Sequence, residues 1–153
     1  MTPFIMITSK RREKTKNRKE TGRFTALSHV VLRSPDYIGL SYKSQSLIVD
    51  LVHQYNGRNN GDLTAALEYM QSRGWKRSAT LNDAVKELME VNLILRTREG
   101  KFQNPNSRCA LYAITWRQID ECEGKDLEFV LHQHLQESLV WRGDQNTHYS
   151  KRN

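Results

Sequence analysis

The chain has 153 residues, of which 37% are hydrophobic and 27% charged, and it carries a net charge of +7 at pH 7. This size and composition are typical of one compact domain with extensions, and no apolar run reaches the roughly 18–20 residues that a membrane-spanning helix requires. The short apolar start, Met1–Ile7, precedes the basic residues, which is the wrong order for a secretory signal. We therefore expect a cytoplasmic protein, with Cys109 and Cys122 as reduced thiols.

The positive charge is concentrated at the N-terminus. Residues 1–23 hold eight basic and two acidic side chains, a net charge of +6, whereas the remaining 130 residues carry +1. Residues 8–23 contain almost nothing apolar, so we expect residues 1–23 to form a disordered basic arm. Such an arm is typical of nucleic-acid binding and, less often, of binding to an anionic membrane. Its candidate contacts are Lys10, Arg11 and Arg12, and a solvated tail is the alternative.

The first elements after the arm are predicted from capping residues and apolar spacing. Residues 24–32 are rich in β-branched and apolar side chains and predict an extended segment. Ser34, followed by a proline and an aspartate, predicts a short helix that ends near Leu40. Ser41 is the predicted cap of a longer helix that Gly57 ends. Its predicted apolar face consists of Leu47, Ile48, Leu51, Val52 and Tyr55.

Two further helices follow a predicted turn. Residues 59–61, Asn-Asn-Gly, are a strong turn signal, and a short extended piece follows at 62–64. Residues 65–73 predict a third helix that Gly74 ends in a left-handed conformation, with Trp75 packed beside it. The fourth helix is predicted to begin at a cap, Ser78 or Thr80, and to run to about Val91. Its predicted buried residues are Leu81, Val85, Leu88 and Met89.

The rest of the chain predicts a hairpin and an acidic extension. Residues 93–98 and 109–116 read as two strands joined by a polar loop, residues 99–108. Residues 117–153 hold five basic and seven acidic side chains. We therefore expect an ordered domain over 24–117, then an acidic extension over 118–153 with a helix at roughly 125–140 and a disordered end.

The element order is helix, short strand, helix, turn, helix, strand, loop, strand. It predicts an α+β, mainly helical fold, namely a winged helix-turn-helix with a short antiparallel β-hairpin wing. The second helix of such a pair can enter the major groove of DNA with its N-terminal residues leading. The candidate contacts there are Lys76, Arg77, Ser78, Thr80, Asn82 and Lys86. The candidate contacts of the wing are Arg96, Arg98, Lys101, Gln103, Asn104, Asn106 and Arg108.

Several short stretches resemble small helix-turn-helix proteins of bacterial phages, plasmids and integrated elements. The stretches that carry the resemblance are Leu32-Arg-Ser-Pro-Asp-Tyr37, Leu40-Ser41, Tyr55-Asn-Gly-Arg-Asn-Asn-Gly61, Arg73-Gly-Trp75 and Tyr112-Ala-Ile-Thr-Trp116. The resemblance covers roughly residues 24–120 and implies a winged-helix fold, a mobile-element origin and a role in transcription or replication control. Asn92 stands where the family would have glycine, and asparagine is the usual substitute in a left-handed conformation.

Motifs of catalysis are absent from the sequence. It contains no Gly-rich phosphate loop, no nucleophile elbow and no His-Glu-x-x-His pair. His132 and His134 lack the spacing of zinc ligands, and the acids at 120, 121 and 123 are typical of a solvated linker. We expect no enzyme activity, no cofactor and no metal.

The sequence thus predicts a protein that binds double-stranded DNA, as a sequence-specific transcriptional regulator of a phage or other mobile element. A homodimer is expected, because a single module buries little surface and paired half-sites multiply affinity. Two alternatives remain open. One is a replication-initiation or accessory protein that binds an origin. The other is a winged-helix module for protein–protein contact, with a partner bound through residues 125–140.

Overall fold

The computed structural model describes residues 22–128 of the chain. Within that range the fold is α+β, with five α-helices, one 3-10 helix and a three-stranded antiparallel sheet, so the predicted fold class is confirmed at this level. The helices are α1 (His29–Leu32), α2 (Pro35–Ile38), α3 (Tyr42–Gln54), α4 (Leu67–Met70) and α5 (Ser78–Glu90), with the 3-10 helix at Gln71–Arg73. The strands are β1 (Leu63–Thr64), β2 (Ile94–Arg98) and β3 (Leu111–Ile114).

The segment before α2 differs from the prediction. Residues 24–32 are predicted as extended, but their second half forms α1. The Ser28 side chain caps this helix by accepting a hydrogen bond from the backbone N–H of Val30, at 3.2 Å. Val31 is buried in the core at the same time. The serine cap and this one buried contact therefore outweigh the β-branched composition of the segment.

Helix α3 is the best predicted element. Ser41 is its N-cap, and four of the predicted apolar residues, Leu47, Ile48, Leu51 and Val52, are buried. The helix ends at Gln54, earlier than the predicted stop at Gly57, because Tyr55 turns to an extended conformation. The Asn59 side-chain amide donates to the carbonyl oxygen of Gln54 at 3.0 Å and so satisfies one of the end groups of the helix.

Helix α4 is shorter than predicted. The predicted helix over 65–73 is divided into α4 and the 3-10 helix that follows it. Gly74 then takes the predicted left-handed conformation, with φ of +95°.

Helix α5 begins in a different way from the prediction. Arg77 is its N-cap and makes no side-chain capping bond, so the predicted cap by Ser78 or Thr80 is wrong. Ser78 is the first helical residue, so both Ser78 and Thr80 lie within the helix and neither is at the capping position. The predicted burial of Leu81, Val85 and Leu88 is confirmed, whereas Met89, also predicted as buried, is half-buried.

The three strands form a sheet in the order β1-β3-β2. Leu63 of β1 lies opposite Tyr112 of β3, and Ile94 of β2 lies opposite Ile114 of the same strand. Asn92 joins α5 to β2 with φ of +57°, the left-handed geometry for which asparagine substitutes for glycine. One core cluster joins the helices to the sheet, and it includes Leu47 and Leu51 of α3, Leu81 and Leu88 of α5, and the strand residues Leu63, Ile94 and Ile114.

A side chain forms hydrogen bonds with the outer edge of β1, on the side away from β3. The Gln54 amide donates from Nε2 to the carbonyl oxygen of Thr64 and accepts from the Thr64 N–H at its Oε1, each at 2.9 Å. These are the two hydrogen bonds that a neighbouring strand would make with this residue.

The turn after α3 is organised around Asn60, whose exposed fraction is 0%. Its Oδ1 accepts from the N–H of Ile114 at 2.8 Å. Its Nδ2 donates to the carbonyl oxygens of Ile114, Arg117 and Gln118 at 2.9–3.1 Å. Its backbone N–H donates to the Asp120 carboxylate at 2.8 Å. One buried amide therefore fixes the end of β3 and the chain that leaves it.

The C-terminal segment, residues 118–128, packs back onto the sheet. The N–H of Glu128 donates to the carbonyl oxygen of Thr97 on β2, at 2.8 Å. Gly61, at φ of +127°, makes room for this packing, since a Cβ there would lie 3.1 Å from Leu127 Cδ1. Residues 125–128, where the predicted helix over 125–140 would begin, are not helical. Residues 129–140 of that prediction lie outside the described residues.

Glu87 of α5 closes the N-terminus of α3. Its carboxylate accepts hydrogen bonds from the Ser41 N–H at 2.7 Å, from the Ser41 hydroxyl at 2.6 Å and from the Ser44 hydroxyl. The hydroxyl of Ser41, then that of Ser44, then the Ser41 N–H hold the pKa of Glu87 below its ordinary value. The two longest helices are thereby joined by an ionised side chain.

Replacing Glu87 with glutamine should lower the free energy of unfolding at pH 7 by about 1 kcal/mol, because an amide lacks the second acceptor and the charge. Since the folded pKa is the lower one, the carboxylate stabilises the fold above the unfolded pKa of about 4.3, and this contribution is lost as the pH falls through the folded pKa. Thermal unfolding between pH 7 and pH 3 should therefore show a difference between wild type and Glu87→Gln that shrinks with acidity. Glu90→Gln, an exposed change on the same helix, is the control. A difference that is constant with pH would contradict the capping role.

Candidate nucleic-acid interface

The turn between α4 and α5, residues 74–77, is anchored to α3 by one buried carboxylate. Asp50 of α3 is 6% exposed. Its Oδ1 accepts from Arg73 Nε at 2.9 Å and its Oδ2 accepts from Trp75 Nε1 at 2.8 Å. Trp75 also packs against the core, as predicted. The direction in which α5 leaves the turn is therefore fixed by α3.

One face of α5 is open to solvent along its length. Of the predicted contacts, Ser78, Asn82 and Lys86 are exposed on it, while Thr80 is half-buried. Asp83 is exposed on the same face and is a residue that the predicted set of contacts omits. The face thus presents amide, carboxylate and ammonium groups, the chemistry that reads base edges in a major groove.

Lys76 and Arg77 lie in the turn, where both are exposed, and border an open cleft of about 460 Å³. We call this the helix-turn cleft. Its lining residues are Tyr42, Lys43, Ser46, Arg73, Gly74, Trp75, Lys76, Arg77 and Thr80. The three residues from the first turns of α3 are absent from the predicted set of contacts. The sequence does contain one signal for them, a lysine in the first turn of a helix, two positions after the capping Ser41. Nothing in the sequence, however, shows that this lysine lies beside the turn between α4 and α5.

The loop between β2 and β3, residues 99–110, corresponds to the predicted wing. Four predicted contacts, Lys101, Gln103, Asn104 and Asn106, are exposed on it. Its stem is closed by two backbone hydrogen bonds of 2.8 Å between Lys101 and Arg108. Beyond that pair the side chain of Phe102 is 100% exposed. The loop is therefore a projection whose far end is mainly polar.

The three arginines at the base of this loop are held by the protein itself. Arg96 lies over the Tyr112 ring, 5.8 Å from its centroid, and its Nη1 donates to Glu99 at 3.1 Å. The hydrogen bond to Glu99, which outweighs the cost of burial, raises the pKa of Arg96 above its ordinary value. Its guanidinium is therefore held against the sheet by Tyr112 and Glu99.

Arg98 and Arg108 are engaged by the C-terminal segment. Arg98 donates to the carbonyl oxygens of Lys125 and Cys109, each at 2.9 Å, and Arg108 forms an ion pair with Glu128. Together with Arg96 they stabilise the base of the loop, which leaves Lys101 as the exposed cation of the predicted wing. The arm contacts Lys10, Arg11 and Arg12 lie outside the described residues.

The acidic and thiol side chains outside this interface do not form a second candidate site within the described residues. Within residues 22–128 no group of three or more His, Cys, Asp or Glu side chains could hold a metal ion. Asp120 accepts the hydrogen bond from Asn60 described above. Burial raises the pKa of the half-buried Cys122 thiol. In the same part of the chain no helix has the length and apolar character required to cross a membrane.

Comparisons with protein-family models, with curated proteins and with solved structures found no match to this chain.

Proposed function

We propose that this protein is a sequence-specific DNA-binding protein with a winged helix-turn-helix domain, acting as a transcriptional regulator of a phage or other mobile element in the bacterial cytoplasm. The observation that carries the proposal is the exposed face of α5, directly preceded by two exposed cations. In a helix-turn-helix the second helix lies in the major groove, with its N-terminal residues at the bases. Asn82 suits adenine, Asp83 suits the amino group of cytosine and Lys86 suits guanine.

The anchoring of the turn favours this function over a merely solvated surface. A base-reading helix has to be presented rigidly, and Asp50 fixes the residues before α5 through two hydrogen bonds. The β2–β3 loop would act as the wing, with Lys101 and the polar tip residues contacting phosphate or the minor groove. The basic arm would add phosphate contacts independent of sequence.

The mobile-element origin rests on the resemblance of residues 24–120 to small helix-turn-helix proteins of phages and plasmids. A homodimer on inverted half-sites is part of the proposal, because one module of this size buries little DNA surface.

Selection from a random duplex DNA pool tests the function, near a physiological ionic strength of about 0.15 M and with excess competitor DNA. We expect a recovered motif, arranged as two inverted half-sites if the dimer is correct. Recovery without a motif would remove sequence specificity, and no recovery would remove DNA binding in favour of a protein-interaction module. A motif at a replication origin instead of a promoter would favour a replication role. Repeating the titration with residues 24–153 measures the arm's share as a change in salt dependence.

A further inference from the structure

The helix-turn cleft has an unusual balance of charge. Four of its lining side chains are cationic and none is acidic. Arg73 is neutralised by Asp50, at 2.9 Å. The other three, Lys43, Lys76 and Arg77, form no ion pair with any residue between 22 and 128. Three positive charges that lack an ion-pair partner among residues 22–128, one from α3 and two from the turn before α5, therefore line one concavity.

The lysine of α3 is the informative member. Lys43 lies in the first turn of the helix, where no acidic residue accompanies it. A positive charge at this end opposes the helix dipole. The Glu87 carboxylate that caps the same end is bonded to Ser41 and Ser44, and no ion pair among residues 22–128 accounts for the lysine. It is exposed and contributes nothing to the core. A ligand that carries negative charge would pair with this lysine and so account for a cation at this position.

The shape and lining of the cleft indicate which anion it suits. The cleft is open to solvent instead of enclosing its contents, which suits a chain passing across it better than a small molecule held inside. Tyr42 is 89% exposed at its edge and carries a hydroxyl, while Ser46 and Thr80 supply two more. Hydroxyl, ammonium and guanidinium groups are the usual donors to phosphate oxygens of a nucleic-acid backbone.

We infer that the helix-turn cleft binds the phosphodiester backbone of duplex DNA, with Lys43 as a phosphate contact outside the α4–α5 pair. The inference rests on the proposed function and extends the interface onto α3. A strand would enter beside the turn while α5 lies in the adjoining groove. Phosphate contacts set the register of a protein on DNA without reading its sequence, so Lys43 would fix where the bases meet α5.

The test compares Lys43→Gln with Arg58→Gln on the duplex recovered by selection. Arg58 is exposed in the loop after α3 and does not line the cleft, so its replacement removes the same charge elsewhere. We expect Lys43→Gln to weaken binding about threefold to tenfold and to reduce the salt slope by about 0.9, the value for one phosphate. Its selected motif should be unchanged. Its melting temperature should not fall, because removing a cation from the first turn of α3 removes an unfavourable interaction with the helix dipole.

Phosphate-ethylation interference locates the contact. Wild type should show interference at a backbone position that Lys43→Gln loses and Arg58→Gln keeps. If wild type binds DNA and the two variants have equal salt slopes and equal interference patterns, the cleft is not a phosphate site, while the proposed function stands. If wild type fails to bind duplex DNA even at low salt, the proposed function and this inference fall together.

Discussion

Asn60→Asp is expected to remove a large part of the stability of the domain. The substitution keeps the shape of the side chain but replaces a donor by an acceptor, and it turns a carboxylate toward the carbonyl oxygens that now accept from Nδ2. A buried charge without compensation costs about 3–5 kcal/mol, and a buried neutral group that has lost its partner costs about 1–3 kcal/mol. Domains of this size have a free energy of unfolding of only about 5–15 kcal/mol. Urea denaturation followed by circular dichroism measures the change.

Asn59→Asp is the matched control, since it is the same chemical change one position away. The Asn59 Oδ1 accepts from the N–H of Asn56 at 2.8 Å, a bond that aspartate keeps, and only the donor bond to Gln54 is lost. We expect a loss of about 1 kcal/mol there. Equal losses at positions 59 and 60 would show that Asn60 does not organise the turn.

Lys76→Ala combined with Arg77→Ala should weaken binding to the selected duplex about tenfold to a hundredfold, or about 1.4–2.8 kcal/mol. Both side chains are exposed at the entrance to α5, and the loss of two phosphate contacts should reduce the salt slope by about 1.8. The fold should be intact, because the N-cap residue Arg77 makes no side-chain capping bond that alanine would forfeit. Filter binding or fluorescence anisotropy across a salt series measures both quantities.

Arg58→Ala combined with Arg117→Ala removes the same total charge from exposed positions away from the helix-turn cleft. This control variant should keep most of the affinity, since non-contacting charges act only through a screened field. A folded Lys76/Arg77 variant with wild-type affinity would rule out the proposed approach of α5 to DNA.

The elements that the sequence predicts correctly are those with several concordant local signals. Helix α3 has a capping serine and four apolar residues at helical spacing, and Gly74 and Asn92 both take the left-handed conformation expected of them. The prediction for residues 24–32 fails because it depends on composition alone. The β-branched residues before α2 predict an extended segment, but Ser28 caps a short helix there.

The candidate site can also be predicted only as far as local patterns of the sequence determine it. The exposure of Asn82 and Lys86 follows from the helical period, which the sequence displays. The engagement of Arg108 does not, because its partner Glu128 lies 20 residues further on, a separation that no local pattern spans. The position of Lys43 beside the turn depends on how α3 crosses α5, and packing between two distant helices is not encoded in any local pattern.

The amide of Gln54 has a bearing on how two copies of this chain could associate. Unpaired strand margins are templates on which further chains add by backbone pairing, in oligomers and in aggregates alike. Here the Gln54 side chain makes two hydrogen bonds with the backbone of Thr64 at the edge of β1. At the edge of β2, the N–H of Glu128 donates to the carbonyl oxygen of Thr97. Growth of the sheet into a second subunit at either edge would first have to displace the hydrogen bonds that cover that edge. The dimer that we propose is therefore expected to form through side chains packed against each other, and the native sheet to resist templated self-assembly.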